Sequence, residues 1–454
     1  MKHQMLILSL LVVLTLSVGW SPLPAAAEPT ASGGHSTVLG NQPSASVPTG
    51  IGGKRFSDIG PFDDQATAIA IQSDNKVVVA GSTDANNDSN FAVVRYTAAG
   101  ALDTSFGGDG IVLTDFGGND QATALMIQPD GKLVVAGSSD AGGSTDFALA
   151  RYLPNGTPDS SLSDDGKLTT DFGSGSEEEA HAAILQTDGK IVVAGASYSI
   201  DDFDFDFALA RYTASGNLDP SFSDDGKLTT DLGGTLDMAA ALVIQPDGKL
   251  VAAGSNDDSF ALARYTASGN LDASFSGDGK ATTAFSDEGM SSIYGLALTP
   301  DGKLVAAGQV TDNGDFALAR YTASGNLDTS FSGDGKLTTD FGSNDRGAAI
   351  VIEANSTIVV AGSSNAHRSN DFALARYTAS GNLDPSFSGD GKLTTDFFGG
   401  DDQALALARQ SDGRLVAAGF AQRDSAIGFA VARYQDGALE ISGAVYLPLV
   451  SKGT

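Results

Sequence analysis

The 454-residue chain contains no cysteine. That removes disulfide staples, thiolate metal sites, a cysteine nucleophile and a cysteine-linked lipid anchor together. Tryptophan is nearly absent too: the single copy, Trp20, lies in an apolar stretch near the start. Sugar platforms usually present flat aromatic faces, so a chain without Trp in its body is a poor candidate for one. Basic residues are scarce, 26 Lys and Arg against 56 Asp and Glu, for a net charge of −30. Such a surface repels nucleic acid and anionic lipid, keeps a protein soluble and attracts divalent cations. The acids are scattered through the chain, mostly as Asp. Histidine is rare, and beyond residue 50 only His181 and His367 occur. No long apolar run follows the first one, and no segment carries an extended 3.6-residue apolar period, so neither membrane spans nor helices are expected there.

The two ends read differently from the body. Lys2 and His3 precede an apolar run from Met5 to Val18, and Ala25-Ala26-Ala27 fits a small-residue cleavage site. Residues 1–27 therefore read as a signal peptide, and an uncleaved anchor is the competing reading. Residues 28–50, rich in Ser, Pro, Gly and Thr, read as a flexible linker. The expected product is a secreted or cell-surface protein with no membrane insertion after signal removal, a monomer that engages an extracellular protein or glycan and no nucleic acid. Residues 437–454 are assigned to a tail.

Between these ends the chain repeats. Arg-Tyr occurs at Arg95, Arg151, Arg211, Arg264, Arg320, Arg376 and Arg433, 53 to 60 residues apart, within a recurring text clearest from Asp206 to Asp231. Fixed periods of this size mark solenoids, propellers or arrays. Each period holds four short strand-like segments, a to d; in the second copy they are Ala122–Ile127, Leu133–Gly137, Phe147–Tyr152 and Lys167–Phe172. Between a and b stands Gln128-Pro129-Asp130-Gly131, a tight-turn sequence. Along strand c, alternation puts Phe207, Leu209 and Arg211 on one face and Ala208, Ala210 and Tyr212 on the other. A sheet with one bulky and one mostly small face stacks on a copy of itself, which is the propeller arrangement.

The last repeat stops after strand c. The missing strand d appears at the other end of the repeat region, where Gly53-Lys54-Arg55-Phe56-Ser57-Asp58-Ile59-Gly60 matches the Gly, Lys, Asp and Gly of Gly166–Gly173. The expectation is an all-β fold over residues 51–436: a closed seven-bladed β-propeller of four-stranded antiparallel blades, its ring completed by an N-terminal strand. The text from Gln128 to Gly137 (QPDGKLVVAG) and from Asp206 to Asp219 (DFALARYTASGNLD) resembles the bacterial delta-60 repeat, found in exported and surface proteins. The resemblance spans nearly all of Gly53 to Tyr434. It implies a β-propeller and no established activity, and it brings no catalytic residues. The segment from Val445 to Val450 is similar to short ends of some exported bacterial proteins but lacks the features of a sortase signal.

Three sets of residues are candidates for chemistry. The repeated Arg shares a face with Phe and Leu and so needs a buried partner. Strand d offers Asp58, Asp115, Asp171, Asp231, Asp340 and Asp396, with Ala284 as the exception, and an Arg–carboxylate tie from c to d is expected. The c–d loop alternates oxygens at Asp219, Ser221, Ser223 and Asp225, again around Asp328 and Asp334, and again around Asp384 and Asp390. That pattern suits calcium, the one cofactor considered, and equally suits Asx and Ser/Thr turns. The a–b and c–d loops share one rim, nearly invariant. The d–a and b–c loops share the other and hold most of the variation, at 173–179, 197–206, 286–292, 363–369 and 420–427. Binding residues usually sit on variable loops over a rigid scaffold. On that rim the third blade stands out with Glu177, Glu178, Glu179 and His181 beside Asp201, Asp202 and Asp204, either a ligand patch or a solvated acidic loop. The leading reading is a non-catalytic binding scaffold. The alternatives are a calcium-stabilised propeller and a hydrolase using Glu178, Glu179 or Asp237 near the central channel.

Overall fold

A computed structural model describes residues 53–60, 63–84, 88–173, 175–201, 203–286, 289–311, 314–366, 369–435 and 438–439. The chain divides into two units, 1–44 and 45–454, and every described residue belongs to the second. The expected signal peptide, the whole of the expected linker, Asp202 and His367 lie outside the described residues.

The described residues form seven four-stranded antiparallel sheets and no helix. Blade 1 runs from Asp64 to Thr114, blade 2 from Asp120 to Thr170 and blade 3 from Ser176 to Thr230. Blade 4 spans Asp237 to Thr283, blade 5 Ser291 to Thr339 and blade 6 Asp345 to Thr395. Blade 7 takes strands a to c from Asp402–Arg409, Leu415–Arg423 and Ala426–Gln435, and strand d from Lys54–Ser57. Strands a of successive blades touch, which makes them the inner ring.

The closing strand keeps the register of the others. Lys54 faces Ala432 and Ser57 faces Phe429, just as Lys227 faces Ala210 and Thr230 faces Phe207 in blade 3. The ring is thus fastened by hydrogen bonds between the two ends of the repeat region, which leaves no open edge between first and last blades. Pairing runs slightly further than the expected boundary at residue 436. Ala438–Leu439 returns antiparallel to strand c of blade 7, with Tyr434 facing Leu439, the counterpart of the Tyr212–Leu218 bridge in blade 3.

Large-against-small stacking holds the blades together. Phe147 and Leu149 of blade 2 pack with Ala208, Ala210 and Tyr212 of blade 3, and Phe207 and Leu209 of blade 3 with Ala261, Ala263 and Tyr265 of blade 4. The same pairing closes the circle, where Phe429 and Val431 meet Ala92, Val94 and Tyr96. Each fully buried Phe contributes about 1.5–3 kcal/mol, repeated around the ring. The Tyr hydroxyl then reaches back one blade: Tyr212 donates to Thr170 at 2.8 Å and Tyr434 to Thr395 at 3.2 Å. In the closing strand Ser57 takes the Thr role, 2.8 Å from the Tyr96 hydroxyl.

One repeated glycine has a specific cause. Every strand a carries a β-bulge opposite strand b, between Ala180 and Ala182 in blade 3. A Cβ on Gly195 would overlap the carbonyl oxygen of Glu179, and the same overlap recurs at the matching glycine of each blade. The bulge therefore demands glycine at the end of the strand-b apolar run.

Candidate functional site

The a–b/c–d rim is built from one unit repeated. In blade 3, Arg211 is 3% exposed. Its Nε donates to Asp219 Oδ2 at 2.8 Å, its Nη2 to Ser221 Oγ at 2.9 Å and its Nη1 to the carbonyl of Ala267 in blade 4. The guanidinium lies 4.6 Å from the Phe222 ring centroid. Lys190, from the a–b turn, adds a second cation 3.2 Å from Asp219. Asp219 Oδ1 meanwhile accepts from both the N–H and the hydroxyl of Ser221. Burial alone would raise this carboxyl, but Ser221, Lys190 and Arg211 outweigh it and hold it well below the usual range. Asp103, Asp159, Asp328 and Asp384 pair in the same way with Arg95, Arg151, Arg320 and Arg376, and Asp272 pairs with Arg264 through Nη2. In blade 7, Arg433 reaches across the closure to the Ala98 carbonyl at 2.7 Å.

This geometry corrects two expectations. The partner of the repeated Arg is the loop Asp, not the strand-d Asp. Phe207 faces Thr230 across the c–d pair, so Asp231, the next residue, sits at the end of the strand remote from Arg211. Asp115, Asp171, Asp340 and Asp396 are exposed, as is Asp231, and their side chains accept from the backbone of the turn that follows. Asp58, half-buried, stands at the same place in the closing strand. Ala284 is tolerated because the inter-blade bond at this position uses the main-chain carbonyl: Lys336 Nζ donates to Ala284 O at 2.8 Å, as Lys227 does to Asp171 O. The second correction concerns calcium in the c–d loop. Asp219, Asp328 and Asp384 already face an arginine, and Asp225, Asp334 and Asp390 each accept the N–H two residues on at 2.9 Å. Ser223 sits in a left-handed turn with φ 51°, its N–H bonded to Ser268 of the next blade. The alternating oxygens are turn caps around a fixed cation, which repels a metal ion.

On the d–a/b–c rim the blades diverge, and blade 3 diverges most. Its first three strands, Ser176–Leu185, Ile191–Ser199 and Asp204–Tyr212, run two residues or so beyond those of blades 2 and 4. The b–c hairpin stands proud, and its tip carries Ile200 at 52% and Phe203 at 73% exposure. Below them Tyr198 and Phe205 stack with ring centroids 4.7 Å apart. Phe203 adopts φ 60°, a left-handed conformation that costs a side chain of this kind about 1–2 kcal/mol. The b–c turns of blades 4 and 7 fill the comparable conformation with Asp257 and Asp424, residue types that tolerate it better.

The acidic patch expected in blade 3 is divided by the structure. Glu177 and Asp201 are exposed and Asp204 is half-buried. Glu178 is fully buried, its carboxylate accepting from Phe172 N at 3.2 Å and Ser197 Oγ at 3.0 Å. Glu179 and His181 lie on the inner strand with Oε2 and Nε2 3.8 Å apart. Burial, with the Glu177 charge adding, pushes Glu179 up to about 7, and burial lowers His181 to about 4. Both groups are thus favoured in their neutral forms. Glu178 and Asp237, weighed for a two-carboxylate hydrolase, belong to different blade junctions. Sequence reasoning singled out this loop for carboxylates interleaved with aromatics; that Ile200 and Phe203 are its exposed tip comes from the structure.

Sequence reasoning missed a grouping. Among the described residues, four carboxylate trios could hold a metal ion: Asp146, Asp171 and Glu178; Asp206, Asp231 and Asp237; Asp315, Asp340 and Asp345; Asp371, Asp396 and Asp402. Each joins strands c and d of one blade to strand a of the next.

Residues 72–106, 128–162, 186–222, 245–275, 299–331 and 353–387 match a family model described as a domain of unknown function (DUF5122) beta-propeller. The matched stretches are similar to the repeats of that propeller family. Each matched stretch runs from the a–b turn through strands b and c to the Phe or Leu of the c–d loop, so it spans the uniform rim. No curated protein matches the chain. Among solved structures the chain is similar to a virginiamycin B lyase from Staphylococcus aureus, at 12% identity and TM-score 0.49, with 83% of this chain and 98% of that one covered. It is also similar to a protein of unknown function from Dyadobacter fermentans, at 12% identity and TM-score 0.44, covering 87% and 98%. A third is Sqt1 from Chaetomium thermophilum, at 15% identity and TM-score 0.41, covering 82% and 96%.

Proposed function

We propose that the protein is an exported, non-catalytic binding propeller whose d–a/b–c rim engages an extracellular protein, with the blade 3 hairpin as the anchor. One observation carries this reading. Two large apolar side chains, Ile200 and Phe203, stand exposed at the tip of the extended blade 3 hairpin, and one of them occupies a strained backbone position. An exposed aromatic held at a cost to the fold is a reason to look for a partner. Binding energy concentrates in such anchors when they enter a pocket, while surrounding polar groups set orientation. Glu177, Asp201 and Asp204 flank the tip, so a partner with a basic margin fits the charge. The apolar signal-like start supports export, and the resemblance to surface-protein repeats agrees with it.

The test is to replace Ile200 and Phe203 with Ser together and to compare crosslinked partners on the producing cell's surface with those of the unaltered protein. The expected outcome is loss of the specific partner with thermal stability changed by no more than about 0.5 kcal/mol. Retention of the same partner by the double variant would refute the hairpin as anchor. A glycan array run in parallel would favour a sugar ligand if it gave specific binding that survives both substitutions.

A further inference from the structure

The ring closes on the uniform rim with one part left out. In six blades the chain between strands c and d is a loop carrying a large apolar residue, Phe106, Leu162, Phe222, Phe275, Phe331 or Phe387, each at 0% exposure. Blade 7 draws its strand d from Lys54–Ser57, so no such loop joins its strands c and d. The seat for the loop residue is nevertheless built. A cleft between blades 7 and 1 is lined by Val77, Tyr96, Gly100, Val416, Val431 and Arg433. Position for position, these are the counterparts of Leu250, Tyr265, Gly269, Val192, Leu209 and Arg211 at the junction of blades 3 and 4. There Phe222 shares one buried cluster with Val192, Leu209, Leu250 and Tyr265. Its ring abuts Gly269, and the Arg211 guanidinium lies 4.6 Å from its centroid. At the closure Arg55 stands where blade 3 has Leu228, and its Nε donates to the Gly100 carbonyl at 2.7 Å. Two guanidinium groups therefore border the cleft.

The chain itself supplies an occupant. After strand c of blade 7, Tyr434 pairs with Leu439 as Tyr212 does with Leu218, so the chain enters the path of a c–d loop. Its text goes on as such a loop does. Leu439-Glu440-Ile441-Ser442 sets an acid and a hydroxyl at the spacing of Leu218-Asp219-Pro220-Ser221, the two groups that meet Arg211 in blade 3. In the loop, Phe222 follows Ser221 directly. Here Gly443 stands in its place, and Tyr446 is the one aromatic between Gln435 and Thr454. The extra residues before Tyr446 give slack, because an extended chain advances about 3.3 Å per residue.

We propose that residues 440–446 dock in this cleft in place of the missing loop, with Glu440 on Arg433 and the Tyr446 ring in the seat that Phe222 fills in blade 3. A ring seated there removes apolar area from water and offers its face to a guanidinium. The segment latches the one junction whose strands come from both ends of the repeat region. It lies on the rim opposite the blade 3 hairpin and does not depend on that reading.

The test is amide hydrogen exchange on the full chain, read by mass spectrometry beside melting temperature. Residues 440–446 should exchange at least about ten-fold more slowly than in a free peptide of the same text. Tyr446→Ser should bring them to the peptide's rate and lower the melting temperature, while Tyr446→Phe should preserve both. Val431→Phe, which fills the cleft from strand c, should also abolish the protection. Should that variant fail to fold, paired cysteines decide: Val77→Cys with Val445→Cys, in a chain otherwise free of cysteine, should crosslink within one molecule. Exchange at the free-peptide rate in the full chain, protection that survives Tyr446→Ser or Val431→Phe, or a crosslink that forms only between two copies would overturn the proposal.

Discussion

On one rim of the ring the blades repeat a single solution, and on the other they part company. The a–b/c–d rim sets a buried arginine between a loop Asp, a loop Ser, a phenyl ring and the carbonyl of the next blade, with a lysine on the same Asp in most repeats. The arginine-paired acids there also accept from the N–H of a loop Ser, and their carboxyls are held low. The d–a/b–c rim has buried carboxylates facing other carboxylates, an exposed aromatic in a strained turn and loops of unequal length. Uniform, satisfied chemistry stabilises a ring; unequal, unsatisfied chemistry is where a ligand or an ion has something to add.

The closing strand should give the largest effect, because it serves both rims. Deleting Lys54–Ser57 removes the partner of Phe429–Ala432 and exposes an apolar strand edge. The expected product aggregates or melts well below the intact chain, as size-exclusion chromatography and calorimetry would report. A monomer with unchanged melting would break the equivalence of this strand with the other six.

Next comes a contrast between two aspartates. Asp219→Ala leaves Arg211 buried without its carboxylate and should cost about 3–5 kcal/mol. Asp115→Ala removes only a cap on the N–H of Gly117, which typically costs about 1 kcal/mol, and blade 4 already has Ala284 at this place. Urea unfolding of the two variants measures the gap. Equal losses would mean that the rims are not energetically distinct.

The smallest effect is the pH response, in which the rims should oppose each other. Asp103 on the uniform rim is held at about 2: burial would raise it, but Ser105, Lys76 and Arg95 overcome that. Its folded value lies below the unfolded one, so its stabilisation is complete above about pH 4 and fades as pH falls towards 2. Asp64 and Asp120 on the other rim are raised to about 6, chiefly by burial. For them the folded state holds protons that the unfolded chain releases, so stability rises as pH is lowered from above 6 towards 4. Melting temperature in metal-free buffer should therefore peak near pH 4–5. Asp120→Asn should flatten the fall above pH 5, and a curve that instead climbs from pH 5 to 7.5 would contradict the burial of these groups.

Legibility from the sequence followed what repeats along the chain. The alternation of Phe207, Ala208, Leu209 and Ala210 predicted how blades stack, because side chains on a strand alternate regardless of what surrounds them. The short copy at Arg433 and the stray strand at Lys54 predicted closure. The arginine's partner was misread because composition on strand d was weighed without its register. Antiparallel pairing with a fixed loop places Asp231 beside Asp206 and leaves Arg211 near Gly226, whose carbonyl accepts its N–H at 2.8 Å. Glu177, Glu178 and Glu179 looked like one patch, yet alternation turns the middle one inward.

The sequence by itself determined the blade count, the four-strand repeat, the closing strand and the division into a constant and a variable rim. All of these are periodic, and a period of two within strands and of about 56 between blades can be read without knowing any contact. The tertiary structure decided which carboxylate meets which cation, which acids are buried, and that residues 206, 231 and 237 share one place. Those outcomes depend on how loops turn and on blades that meet side by side, which bring Asp219 back onto Arg211 and Asp206 beside Asp231 and Asp237. Electrostatic neighbours are set by distance in space and not by position along the chain.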